Sequence, residues 1–127
     1  MAATAATKPS LIHIICPGEA FNAKEGGAKE FNMRNGCGEP VLVKTMLTAE
    51  NTQAWGSLSD TVTLLNGYKE TKLTIMRKAG FQPSTARVKF LHIKVPTNWG
   101  DSPLGDLFSD KKYANEIRAI SVDIRAE

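Results

Sequence analysis

Apolar residues recur at every second position through most of this chain, which is the period of a half-buried β-strand. The pattern is strongest from Glu39 to Val62. Val41, Val43, Thr45 and Leu47 fall on one side, and Leu42, Lys44, Met46 and Thr48 on the other. Pro40 stands at the first position of that strand, where a missing backbone donor costs the ladder least. A polar segment at 51–59 follows, then a second apolar run over Thr61–Leu65. In Lys72–Lys78, Leu73 and Ile75 alternate with Lys72, Thr74 and Met76. Arg87–Val95 alternates again and stops at Pro96. Glu116–Arg125 sets Ile120, Val122 and Ile124 on one face. Leu11–Cys16 differs: it is apolar throughout between Pro9 and Pro17, the signature of a strand buried on both faces.

Glycine and proline divide these runs. Glu19–Arg34 reads as a hairpin, with EAFNAK and AKEFNMR as arms around Glu25, Gly26 and Gly27. Asn35-Gly36-Cys37-Gly38 is a turn into the central strand, and Leu65-Asn66-Gly67-Tyr68 a tight turn out of the next one. Residues 79–86 form a connector with Phe81 at its tip, so that Lys72–Lys78 and Arg87–Val95 make a long hairpin. Residues 97–113 are polar and read as a long loop with one helical turn near Leu104–Phe108. Residues 1–10 form a small polar tail expected to be disordered, which leaves 11–127 as a single domain. The class is all-β: several short strands, glycine-rich turns and almost no helix.

The 127 residues suffice for one hydrophobic core. No apolar run approaches the roughly 18 residues of a membrane helix, and LIHII is too short for a secretory signal core, so a cytoplasmic chain is expected. Cys16 and Cys37 form no CxxC pair and have no histidine at metal spacing; free thiols are expected. The net charge is +3, but Lys69–Lys94 holds seven basic residues against Glu70 alone. Such a block suits an anionic polymer, and equally suits solvated, lysine-rich strands at sheet edges.

The hairpin adds Lys24, Lys29 and Arg34 around Phe21 and Phe31. Rings interleaved with cations can stack on bases while the cations follow phosphates; the same rings can simply be core. Trp55 in the polar loop is expected to pack. His13 and His92 lie in apolar segments, away from any nucleophile. Asp101, Asp106 and Asp110 lack the spacing of a calcium loop. No HExxH, GxSxG or GxxxxGK motif is present, so no catalytic residue, metal, cofactor or small-molecule substrate is expected.

PVLVK, the polar segment after it, Gln53-Ala54 followed by an aromatic, then Gly56 and a Thr-Val strand resemble the middle of the gene V single-stranded-DNA-binding proteins of filamentous bacteriophages. The resemblance implies a small five-stranded barrel of the oligonucleotide-binding type, with protruding hairpins and, here, an extra C-terminal strand. It implies a homodimer that coats single-stranded DNA of a phage or plasmid replication intermediate. Phe31 matches the aromatic of the family's DNA-binding wing, and Phe81 the loop aromatic that reaches DNA on a neighbouring dimer. The expected interface comprises Lys24, Lys29, Phe31, Arg34, Tyr68, Lys69, Lys72, Arg77, Lys78, Phe81, Arg87 and Lys89. A self-assembling viral coat or tail subunit and an RNA-binding regulator are the alternatives, since the long loop and extra strand suit assembly and RNA shares the electrostatics.

Overall fold

In a computed structural model, the described residues are 9–16, 18–51, 53–55, 61–100 and 103–127. Residues 1–8 of the expected tail, most of the polar loop before Thr61, and Asp101 lie outside them. Seven strands follow in order: β1 (Ile12–Ile15), β2 (Gly27–Asn35), β3 (Val41–Ala49), β4 (Thr61–Leu65), β5 (Glu70–Arg77), β6 (Ser84–Lys94) and β7 (Arg118–Ala126). All pair antiparallel, in two sheets of order β1-β2-β5 and β4-β3-β6-β7.

The period-two pattern explains the layering. On β3, Val41 and Val43 turn inward and meet Val88 and Phe90 of β6 and Ile124 of β7. From the other sheet come Ile12, Phe31, Met33 and Ile75. One apolar face of each sheet is thus buried against the other, the arrangement of a β-sandwich. The expected closed barrel does not form.

Two strand pairings expected from sequence are replaced. Glu19–Arg34 is no hairpin: Phe21 and Ala23 run parallel to the end of β7, through Phe21 N–H to Arg125 O, Glu127 N–H to Phe21 O and Ala23 N–H to Glu127 O, each 2.9 Å. The Leu65–Tyr68 turn carries the chain from one sheet to the other, since β4 pairs with β3 and β5 with β2. The basic hairpin of Lys72–Lys78 with Arg87–Val95 is likewise split between sheets. Sequence period tells which face of a strand is apolar; it does not tell which apolar strand lies alongside. The connections β2–β3, β4–β5 and β5–β6 cross between layers, as in immunoglobulin-type sandwiches.

The closing strand is β7, with Ile120, Val122 and Ile124 toward the core. The turn expected at Leu104–Phe108 is a 3-10 helix, and a second covers Lys111–Glu116. Together they lay a lid on the outer face of the four-stranded sheet. Leu107 plugs against Leu42 and Ile93, with Trp99, Phe108, Tyr113 and Ile117 around it. The long segment therefore has its own small core, and the Trp99 and Tyr113 rings meet edge to face at 5.8 Å.

Candidate interaction surface

The register of the four-stranded sheet sets out its outer face in rows. Leu64, Leu42 and Ile93 form one; Val62, Lys44, Leu91 and Ala119 the next; Met46, Lys89 and Ser121 the third. The lid covers the first row at Leu42 and Ile93. On the uncovered part, Val62 is 42 % and Leu64 43 % exposed, with Met46 and Leu91 half-buried beside them. Beyond the third row, Arg87 Nε donates to Asp123 Oδ1 at 2.7 Å. That hydrogen bond, and the charge behind it, hold the Asp123 carboxyl below and the Arg87 guanidinium above their ordinary values.

Sheet edges are usually guarded by charge, proline, brevity or a covering segment. Here β1 has four residues, β5 carries Glu70 and Lys72, and the end of β7 is covered by Phe21–Ala23. β4 is the exception. Its sequence, TVTLL, has no charge and no proline, and among the described strands it pairs only with β3.

The residues expected to form a nucleic-acid interface do not come together. Phe31 is 1 % exposed, in the sandwich core. Arg77 is 3 % exposed: its guanidinium lies 4.8 Å over the Trp55 ring and donates to Ser84 Oγ at 2.8 Å and Gln82 O at 2.6 Å. Phe81 packs half-buried on the core. Arg34 and Lys72 sit on the outer face of the three-stranded sheet, with Lys72 3.4 Å from Glu30. Arg87 and Lys89 sit on the opposite side of the molecule, on the outer face of the other sheet. Lys24, Lys69 and Lys78 are exposed in or beside turns. Tyr68 is exposed with a positive φ of 58°, its ring alongside Gly38.

Lys29 lies 5.5 Å over the Phe21 ring, at the mouth of a cleft of about 380 Å³ between the sheets. Of the other charges that line the cleft, Asp123 pairs with Arg87 and Arg125 with Glu127 at 2.9 Å, and Glu19 stands beside them. Among the described residues no group of three or more His, Cys, Asp or Glu is placed to hold a metal ion, and both cysteines are free. No described helix is long and apolar enough to cross a membrane.

Sequence reasoning passed over two buried polar centres. Asn35 is buried, and its Nδ2 donates to Glu39 O at 2.7 Å, Leu65 O at 3.0 Å and Asn66 O at 3.2 Å, while Oδ1 accepts from Cys37 N–H at 2.9 Å. Its signal in the sequence was only an Asn-Gly turn. His92 is buried on β6, its Nδ1 3.2 Å from Phe90 O and its Nε2 3.1 Å from Leu11 N. Nothing local foretells that a residue 81 positions away completes it.

No family model and no curated protein matches the chain. Solved structures do. WR4, a Caenorhabditis elegans MSP (major sperm protein) family member, superposes with a TM-score of 0.69 at 18 % identity, over 94 % of this chain and 100 % of that one. The chain shares the β-sandwich fold of that protein. SSP-19, an MSP-domain protein-like family member from the same nematode, gives a TM-score of 0.56 at 15 % identity over 84 % and 92 % of the two chains. The ASH/PapD-like domain 7 of human CEP192 gives 0.55 at 11 % identity over 95 % and 88 %.

The β-sandwich fold overturns the gene V resemblance, and with it the single-stranded-DNA partner and the role in phage or plasmid replication, and it removes the ground on which a homodimer was expected. Neither the coat or tail subunit nor the RNA-binding regulator gains support. The physical reason is visible in β3. PVLVK describes a proline-initiated central strand buried on both faces, under the core on one side and the lid on the other. Any antiparallel β-protein can ask for that pattern.

Proposed function

We propose that this chain is a non-catalytic protein-interaction module that docks an extended partner segment along β4 and the adjoining outer face. The neighbouring MSP family member and PapD-like domain share this two-sheet framework. The observation that carries the reading is the β4 edge, which among the described strands pairs only with β3, with Val62 and Leu64 exposed on a strand that lacks any charge. A strand added there gains main-chain hydrogen bonds from the edge and apolar contact from alternate side chains.

The test is selection of displayed random dodecamer peptides against the whole chain. Peptides with apolar residues at alternate positions are expected. Binding should weaken at least tenfold in Val62→Asp and Leu64→Asp, while both variants keep thermal midpoints near the parent's, because these side chains are exposed. Selected peptides that bind both variants as tightly as the parent would overturn the assignment.

A further inference from the structure

We propose that residues 9–11 and His92 form a proton-operated latch, in which a proton on His92 Nε2 releases the N-terminal segment from the sandwich. The segment bridges the layers: it leads into β1 of one sheet but is tied to β6 and β7 of the other. Leu11 N–H donates to His92 Nε2 at 3.1 Å. A backbone amide can only donate, so Nε2 is unprotonated and Nδ1 carries the hydrogen, which it gives to Phe90 O at 3.2 Å. Ser10 Oγ lies 3.2 Å from the same Nε2 and donates to Ile12 O at 2.9 Å. Arg118 Nη1 donates to Pro9 O at 2.8 Å, and Leu11 O accepts from Gly36 N–H at 2.8 Å.

A proton added at Nε2 leaves two N–H groups facing each other, so the Leu11 bond is lost. The imidazolium then faces a cation. Arg118 of β7 stands opposite His92 in the register; Val43 of β3 stands opposite on the other side and has no charge; Pro9, Ser10 and Leu11 bring no titratable side chain; β1 brings His13, exposed and alongside Gly36. No carboxylate among the described residues acts on the ring. Burial pushes the imidazole below its ordinary value; the bond to Phe90 O works against that, and Arg118 adds to it. Opening of the segment relieves both burial and repulsion. It frees Pro9 O, Leu11 N–H and Gly36 N–H to water.

The sign follows from linkage. The open state takes the proton at an ordinary histidine pKa of about 6.5 and the closed state only at a lower one. The closed form is therefore fully favoured above that value and loses ground as pH falls from it toward the closed-state pKa. Amide hydrogen exchange by NMR on the whole chain, from pH 8 to 5 and corrected for intrinsic rates, reads the latch directly. Protection at Leu11 is expected to fall by up to about tenfold per pH unit below 6.5, with the His92 ring titrating below that value, while Val43 and Phe90 stay protected. His92→Gln, neutral at every pH, should show no such fall. Leu11 protection that stays flat, that is lost together with Val43 and Phe90, or a His92 ring that titrates at or above 6.5 would overturn the latch. If His92→Gln does not fold, the parent chain's own ring titration set against Leu11 exchange decides.

Discussion

Asn35 shows how one side chain can tie three segments together. Its four hydrogen bonds join the end of β2 to the turn before β3 and to the end of β4. Asn35→Ala would leave carbonyls buried without donors, at roughly 1–3 kcal/mol for such a loss; a urea titration followed by tryptophan fluorescence would show it as a lower midpoint with unchanged slope. Asn35→Asp should cost more at neutral pH, because a carboxylate would face three carbonyl oxygens. Arg77 poses a related case. The fork over Trp55 binds two acceptors and stacks at once, so Arg77→Lys keeps the charge and loses the geometry. Its midpoint should fall nearly as far as that of Arg77→Ala. Gly26 completes this corner: at φ 75° its Cα backs onto the chain at Arg77 O, where an added Cβ would lie 2.5 Å away. Gly26→Ala should cost more than about 1 kcal/mol, beyond the ordinary range for such a change.

At the scale of elements, the lid and the sandwich have separate cores, and this makes a separable prediction. Leu107 is fully buried but touches the outer face of the sheet, not the layer between sheets. Leu107→Ala should lose roughly 2–5 kcal/mol of local packing. The check is hydrogen exchange: protection should drop across 103–117 while β3 and β6 keep theirs. Each core has one tryptophan, Trp99 in the lid and Trp55 in the sandwich, so Trp55→Phe and Trp99→Phe variants would report the two separately.

The strands themselves were legible, except that β1 is an edge strand with Ile15 exposed rather than one buried on both faces. The alternating runs, the Leu104–Phe108 turn and the inward face of β7 all follow from period and punctuation. What was not legible is adjacency. Phe21 and Phe31 look alike in sequence, yet one stands beside β7 and the other in β2, a choice settled by which layer the chain crosses to. The basic block of Lys69–Lys94 failed as a site for the same reason. Its charges are close along the chain and are distributed by the fold over two opposite faces.

For the molecule as a whole, that distribution bears on solution behaviour. With a net charge of +3 divided between two outer faces, no single track of cations follows a phosphate backbone. Fluorescence anisotropy with labelled poly-dT, duplex DNA and RNA should show weak, equal binding that vanishes by physiological salt; tight preference for the single strand would contradict the fold-based reading. The parallel pairing of Phe21–Ala23 with the end of β7 has a mechanical consequence as well. Tension applied between Ala20 and Glu127 pulls these segments along their length in opposite directions. The Phe21–Arg125, Phe21–Glu127 and Ala23–Glu127 bonds are then sheared together rather than peeled one by one. A sandwich closed in this way resists such a pull until all three give at once.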